Sequence, residues 1–353
     1  MFFYFYVIII LGDVMKIAVD KNSVGVAKKD GNEYIYLFDN EDYEELLETK
    51  LHCMDYRYCD FVDINLTDYD IECIKKAKPT DKDWDKVERK DYKIGIIIPN
   101  YNYEHTIEKC LNSIAEQTYK NYEVIFVDDM STDSSVLKAL SFNKKMNIKI
   151  IQLKQKRLNG GARNEAYLHL SPNVDYVYYI DSDDWLYDEN VLEKINNKLQ
   201  TQPDVLFVGM ASYKNNKLTT CFIPQYKDKY EAIQGWSGSC GKVIKKSLAT
   251  RQECLYNEGT LKEDKNQHCK ICIYMNNFKL LQEPIYVWNQ QNYKSVTTIR
   301  EKVIWGTSTI RHYADTLQLA LSVKGKDPRI DKILDERVRM CKREIEEGKD
   351  RQW

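Results

Sequence analysis

Between residues 94 and 208 the chain alternates short apolar runs with amphipathic stretches. Residues 94–98 form an unbroken apolar run closed by Pro99, the pattern of a strand covered on both faces. Ile107, Cys110, Leu111 and Ile114 then recur at the spacing of one helix face. A second apolar run at 124–127 ends in Asp128-Asp129, a helical pattern follows at 134–140, and a third run occupies 148–153. Residues 160–170 read as a helix, 176–180 as a fourth strand, 190–199 as a helix and 205–208 as a further strand. Such alternation predicts an α/β fold, a Rossmann-like, mostly parallel mixed sheet flanked by helices. Sheets of that kind bind ligands beyond the carboxyl ends of their strands. The polar clusters after Ile98, Val127 and Ile180 all fall there.

The pattern changes on either side. Residues 16–19, 23–27 and 34–38 read as short strands, the last two joined through Lys28-Lys29-Asp30-Gly31-Asn32, where Asp-Gly signals a hairpin. A helix is expected at 41–51. From 75 to 93 the chain turns highly charged around Pro79 and 81–85, as a linker or a solvated helix does. Three regions result: a small N-terminal accessory domain at 1–85, α/β or β-rich; the main α/β domain at 90–300; and a C-terminal helical extension at 301–353. In the extension Ile330, Leu334, Val338, Cys341 and Ile345 share a helical face, expected to pack against the protein itself. Residues 2–11 are an apolar run shorter than the roughly 20 residues that span a bilayer. They also lack the basic flank of a secretory signal. An upstream start before Met15, a buried strand and a weakly membrane-touching tail all fit this run. No stable membrane span and a cytoplasmic location are expected.

Composition narrows the function classes. Hydrophobic positions make up 43% of the 353 residues, enough for a buried core and against wholesale disorder. With 52 Lys+Arg against 54 Asp+Glu the net charge is −2, which gives no support to a nucleic-acid-binding surface. Ten cysteines are scattered along the chain, so free thiols in a reducing compartment are expected. Cys269 and Cys272 form a CxxC with no second pair to complete a four-ligand site; buried small residues on a helix are expected there. His52, His105, His169, His268 and His312 are widely spaced and read as surface or packing residues.

Three polar clusters carry chemistry. In Tyr179-Ile180-Asp181-Ser182-Asp183-Asp184-Trp185, three carboxylates crowd a strand end. Like charges this close raise one another's pKa. A divalent cation would relieve them, because Mg2+ and Mn2+ take oxygen ligands from carboxylates and substrate phosphates. An acidic turn that caps the next helix is the alternative. Asp128-Asp129 offers acceptors for the N–H and O–H groups of a base or ribose, with helix capping by Ser131, Thr132 or Asp133 as the rival. Asn159-Gly160-Gly161-Ala162-Arg163-Asn164 joins two glycines, which permit close backbone approach, to Arg163, a fork for phosphate or carboxylate.

Taken in order, these blocks resemble the family 2 glycosyltransferases, which have a GT-A fold. The resemblance runs from about residue 92 to 184. It includes Ile96-Ile97-Ile98-Pro99-Asn100-Tyr101-Asn102, Cys110-Leu111-Asn112-Ser113-Ile114 with Gln117-Thr118-Tyr119, and Tyr122-Glu123-Val124-Ile125-Phe126-Val127-Asp128-Asp129. It continues through Gly161-Ala162-Arg163-Asn164 to Asp181-Ser182-Asp183-Asp184. The resemblance implies that Pro99, Asn100 and Tyr101, with Asp129 and Asp128, cradle a nucleotide base, usually uracil. Arg163 would sit near the base or diphosphate and Ser182 beside the donor. Asp183, helped by Asp181 or Asp184, would hold Mn2+ or Mg2+. The activity implied is inverting transfer of a sugar from a nucleotide-sugar, a UDP-sugar above all, to an acceptor hydroxyl by metal-assisted direct displacement.

Direct displacement needs a general base, and the family supplies it from an acidic motif beyond the metal site. Leu261-Lys262-Glu263-Asp264 is the match, with Asp264 first, Glu263 as rival and an acidic helix start as the alternative. Lys242 in Gly241-Lys242-Val243-Ile244, Tyr286-Val287-Trp288 and Tyr293-Lys294-Ser295-Val296-Thr297 resemble the looser second half of bacterial members. The Gln-x-x-Arg-Trp motif of processive synthases does not occur. The acceptor stays open between glycan, lipid, protein and a modified nucleic-acid base. Two rival functions are a nucleotidyltransferase or sugar-nucleotide pyrophosphorylase and a non-catalytic nucleotide-sugar-binding module. The first lacks its glycine-rich phosphate loop here, since Pro99-Asn100-Tyr101-Asn102 stands in that place.

Overall fold

The computed structural model describes residues 3–10, 13–20, 23–29, 33–38, 79–80, 90–291 and 302–346. The chain divides into two units, Met1–Lys90 and Asp91–Trp353. In the first, strands β1 (Phe3–Ile10), β2 (Asp13–Asp20), β3 (Ser23–Lys29) and β4 (Glu33–Phe38) pair antiparallel in chain order. A short β5 (Pro79–Thr80) adds to β4. The strands on either side of Asp30-Gly31 pair as expected of a hairpin, with Lys29 opposite Glu33, and the turn itself lies outside the described residues. The apolar leader supplies β1, in register with β2 from Phe3 opposite Asp20 to Ile10 opposite Asp13. The helix expected at 41–51 lies outside the described residues.

Among the described residues of the second unit, nine strands form one mixed sheet between two helical layers. Strands β6 (Ile94–Asn100), β7 (Tyr122–Asp128), β8 (Ile148–Gln152) and β9 (Tyr176–Tyr179) run parallel in the order β8-β7-β6-β9. The sheet then changes direction. β13 (Lys242–Lys245) pairs antiparallel with both β9 and β11 (Val205–Lys214), and β11 pairs in parallel with β14 (Phe278–Asn289). β10 (Trp185–Leu186) borders β14, and β12 (Lys217–Phe222) forms a hairpin with β11. The helices are α1 (Ile107–Ala115), α2 (Ser135–Leu140), α3 (Leu158–His169), α4 (Val191–Leu199), α5 (Lys229–Gln234), α6 (Lys246–Ala249), α7 (Glu263–Tyr274), α8 (Lys302–Val323) and α9 (Pro328–Glu346).

Alternation across the sheet explains why its central runs are apolar throughout. Ile94, Ile96 and Ile98 enter a core with α1 and α4, whereas Ile97 enters a second core with α3 and α7. Both faces of β6 are thereby removed from water, and each such isoleucine contributes about 1.5–3 kcal/mol. The amphipathic face of α9 packs as its spacing leads one to expect: Ile330 and Leu334 join the second core beside Leu319 and Val323 of α8, and Cys341 is buried. The described cysteines are free thiols, and Cys269 and Cys272 are buried on α7. No helix among the described residues is long and apolar enough to cross a membrane.

Candidate active site

Beyond β9 the chain turns through Asp181-Ser182-Asp183-Asp184 into β10. Asp184 N–H closes the turn on Asp181 O (3.0 Å). Ser182 Oγ anchors it to Pro99 O at the end of β6 (2.8 Å), and Thr106 Oγ1, just before α1, donates to Ser182 O (3.1 Å). The three carboxylates then have different surroundings. Asp184 is buried and accepts from the Tyr286 hydroxyl and from Asn289 N–H (2.8 Å), both on β14. Burial first, then the neighbouring Asp183 and Asp181, pushes its carboxyl well above the usual range. Asp181 accepts from Arg163 Nη2 at 2.7 Å. Asp183 keeps 9% of its surface exposed and lines a cleft.

Arg163 joins this turn to a third element. It projects from α3, is 3% exposed, and gives one nitrogen to Asp181 and the other to Glu263 Oε1 (2.8 Å). Its Nε finds no acceptor among the described residues. The paired glycines explain how α3 comes so near. A Cβ on Gly160 would stand 2.8 Å from Asn257 O and 3.2 Å from Glu263 Cβ. Asn164 exchanges hydrogen bonds with the Tyr256 backbone, 3.0 Å each way, and Arg157 forks onto Glu258 (2.9 and 2.6 Å). The Gly-Gly-Ala-Arg-Asn segment is thus a socket for residues 256–263.

Glu263 and Asp264 open α7, where an acidic first turn meets the positive end of the helix dipole. Glu263 is buried at 6% exposure. Burial pushes its carboxyl up to about 7, against the downward pull of Arg163, and Asp264 adds to the rise. Asp264 is half-buried and lines the cleft. The C-terminal helices hold this helix start in place. Ser308 of α8 accepts from Leu261 N–H (2.6 Å) and shares a hydrogen bond with Thr260 Oγ1 (2.9 Å), while Lys262 reaches Glu344 of α9 (2.9 Å).

The cleft between these elements has a volume of about 300 Å³. Trp236, Gly238, Ser239 and Cys240 also line it, from a segment, 235–240, that the sequence analysis did not single out. The Trp236 ring lies where a Cβ on Gly238 or Gly241 would overlap it. Buried Lys242 fastens the segment from behind, donating to Ser237 O (3.0 Å) and Gly238 O (2.7 Å), and burial lowers its ammonium to about 8. Three glycines around a tryptophan, next to a lysine in an apolar strand, were the available sequence signal.

Of the residues expected at the site, Pro99, Arg163, Asp181, Ser182, Asp183, Asp184, Glu263 and Asp264 meet in this cleft. Asn100, Tyr101, Asp128 and Asp129 are not part of its lining. Asp128 is fully buried and accepts from Asn100 Nδ2 (2.8 Å) and Ser131 N–H (3.0 Å). Asp129 takes Arg157 N–H (2.6 Å) and Leu158 N–H (2.8 Å), capping α3. Both carboxylates expected on a nucleotide are therefore engaged with backbone and side-chain donors of the protein. Asp129 thereby occupies backbone N–H groups at the start of α3. Tyr101 is exposed, with the Lys156 ammonium 3.2 Å above its ring.

Residues 95–243 match the family model described as Glycosyl transferase family 2. Over 129 residues the chain is 36% identical to glycosyltransferase GlyA of Streptococcus pneumoniae serotype 4, covering 36% of this chain and 18% of that protein. Over 145 residues it is 32% identical to the UDP-Glc:alpha-D-GlcNAc-diphosphoundecaprenol beta-1,3-glucosyltransferase WfgD of Escherichia coli, covering 40% and 55%. The chain thus spans from about a fifth to about half the length of these relatives. The crystal structure of S. aureus TarS 1-349 in complex with UDP-GlcNAc superposes with a TM-score of 0.52 at 22% identity, over 65% of this chain and 70% of that one. That likeness establishes the fold, GT-A.

Proposed function

We propose that this chain, whose residues 95–243 are a family 2 glycosyltransferase domain, moves a sugar from a UDP-sugar to an acceptor hydroxyl with inversion at the anomeric carbon. One observation carries the proposal. Arg163 bridges Asp181 and Glu263, so Asp183 on the acid turn and Asp264 on the helix start line one cleft. The donor class is supported by the UDP-glucose in the name of WfgD and the UDP-GlcNAc bound to TarS.

The acid turn fits a divalent cation. Its donors are carboxylate oxygens, which suit Mg2+ or Mn2+. The push of Asp183 and Asp181 on Asp184, added to burial, is the repulsion that a cation relieves. Among the described residues no three His, Cys, Asp or Glu side chains form a metal cluster, so the protein would supply part of a shell and diphosphate oxygens the rest. Asp183 and Asp181 would hold the ion. Asp184, with its oxygens on Tyr286 and Asn289, braces the turn. A bound ion would supply Lewis-acid stabilisation of the charge on the departing diphosphate.

The chain's own residues do the remainder. Asp264 accepts the proton of the acceptor hydroxyl as that oxygen bonds to the anomeric carbon. The carbon–oxygen bond to the diphosphate breaks with its electron pair leaving on the nucleotide. Glu263 is the poorer base, being buried and held by Arg163. Arg163 keeps a fixed positive charge beside the leaving group in a site partly shielded from water. Pro99 lines the cleft on the base side, and Ser182 fixes it through its hydroxyl. Asp264→Asn is expected to bind UDP as the wild type does, while UDP release from UDP-glucose or UDP-GlcNAc with Mn2+ falls by about a hundredfold or more. Normal turnover by that variant would place the base elsewhere, with Glu263 next to be tested.

A further inference from the structure

A second hollow, of about 350 Å³, lies between α5, α7, α8 and α9. It shares two walls with the cleft. Gly235 and Ser237 line this hollow while Trp236 and Gly238 line the cleft, and Lys265 and Asn266 face here while Glu263 and Asp264 face there. None of the functional residues expected from the sequence lies in it.

His312 of α8 is the informative group. It is 4% exposed and lines the hollow. Asn266 Nδ2 lies 3.3 Å from its Nδ1, and an amide nitrogen can only donate, so Nδ1 is the acceptor and the proton sits on Nε2. The Thr316 hydroxyl lies 3.0 Å from Asn266 Oδ1 and donates to His312 O (2.7 Å). No described residue accepts the Nε2–H. Two cations face the ring. Lys265 and Arg337 line the hollow, and Arg337 commits one nitrogen to Ile233 O. Burial first, then Lys265, Lys262 and Arg337, lowers His312 to about 3, so the ring is a neutral donor at ordinary pH. Of the acids present, Glu344 is paired with Lys262 (2.9 Å) and Glu336 is exposed at the rim.

We propose that this hollow is a binding site for a small oxyanion, a phosphate or carboxylate group, received by His312 Nε2–H and neutralised by Arg337 and Lys265. An ionised oxygen suits all three donors, and charge-assisted hydrogen bonds to it are stronger than neutral ones. Because the site backs onto both the Trp236 segment and the first turn of α7, a ligand there would brace the walls that carry Trp236 and Asp264.

The test is an NMR titration of the 15N-labelled histidine rings of the full chain, with inorganic phosphate in one arm and acetate in the other. The His312 ring resonances are expected to move saturably in at least one arm, and the more effective anion identifies the ligand group. Lys265→Met should weaken that binding about tenfold. Glu336→Gln, an exposed change that removes a repelling carboxylate, should tighten it about threefold. Ring resonances that stay still with both anions, or shifts unchanged in both variants, would overturn the proposal.

Discussion

Arg163 is the residue through which the site holds together. A buried guanidinium is tolerable only when its charge is matched, and two carboxylates on different elements do so, Asp181 at 2.7 Å and Glu263 at 2.8 Å. The same pairing ties the acid turn to the start of α7. Glu263 has a further consequence. Burial raises its carboxyl from 4.5 in the unfolded chain to about 7 in the fold. A raised folded value means a stabilising contribution that is whole below about pH 4.5 and lost as pH climbs through 7. Glu263→Gln keeps the shape without titrating, so its melting temperature should gain on that of the wild type between pH 5 and pH 8. A difference between the two proteins that does not change with pH would mean that the carboxyl titrates at its ordinary value. At this scale the sequence displayed the acids at the strand ends but not their partners. That Asp129 would cap α3, or Asp184 brace β14, depends on residues 28 to 105 positions away, and no local pattern records them.

Among the elements, α3 shows why glycines precede Arg163. Its first turn lies against residues 257–263, and the Gly160 position has no room for a side chain: the nearest obstacle is the Asn257 carbonyl, which cannot rotate aside. Gly160→Ala should therefore push the α7 start from α3, costing about 1–3 kcal/mol and lowering transfer beyond the loss of stability. Wild-type melting and turnover would contradict the close packing. Strands β6, β7 and β9 were legible because both their faces are buried, and β8, half-buried at the edge, because its isoleucines stand between turns. Of the later strands β11 was read only at its start, 205–208, and β12 and β14 escaped the pattern. β14 carries Lys279, Glu283 and Pro284, and its pairing with β11 slips on both sides of Gly209, where a Cβ would overlap the Glu283 backbone. That irregularity erases the two-residue period from which a strand is read. β12 is exposed along most of its length and shows no apolar alternation.

Across the whole second unit, sheet, acid turn and C-terminal helices form one support for the cleft. Helices α8 and α9, read from sequence as an extension that packs on the protein, also position the residues just before Glu263 through Ser308 and Glu344. The proposed activity requires the carboxylates beyond β9 to bind a nucleotide through a divalent cation. Calorimetric titration of UDP into the wild type and Asp183→Ala, each with and without Mn2+, addresses it most directly. Mn2+ should strengthen UDP binding to the wild type, and Asp183→Ala should reduce that gain by about tenfold or more. Equal UDP affinity with and without the metal, or a full metal-dependent gain in Asp183→Ala, would contradict the account.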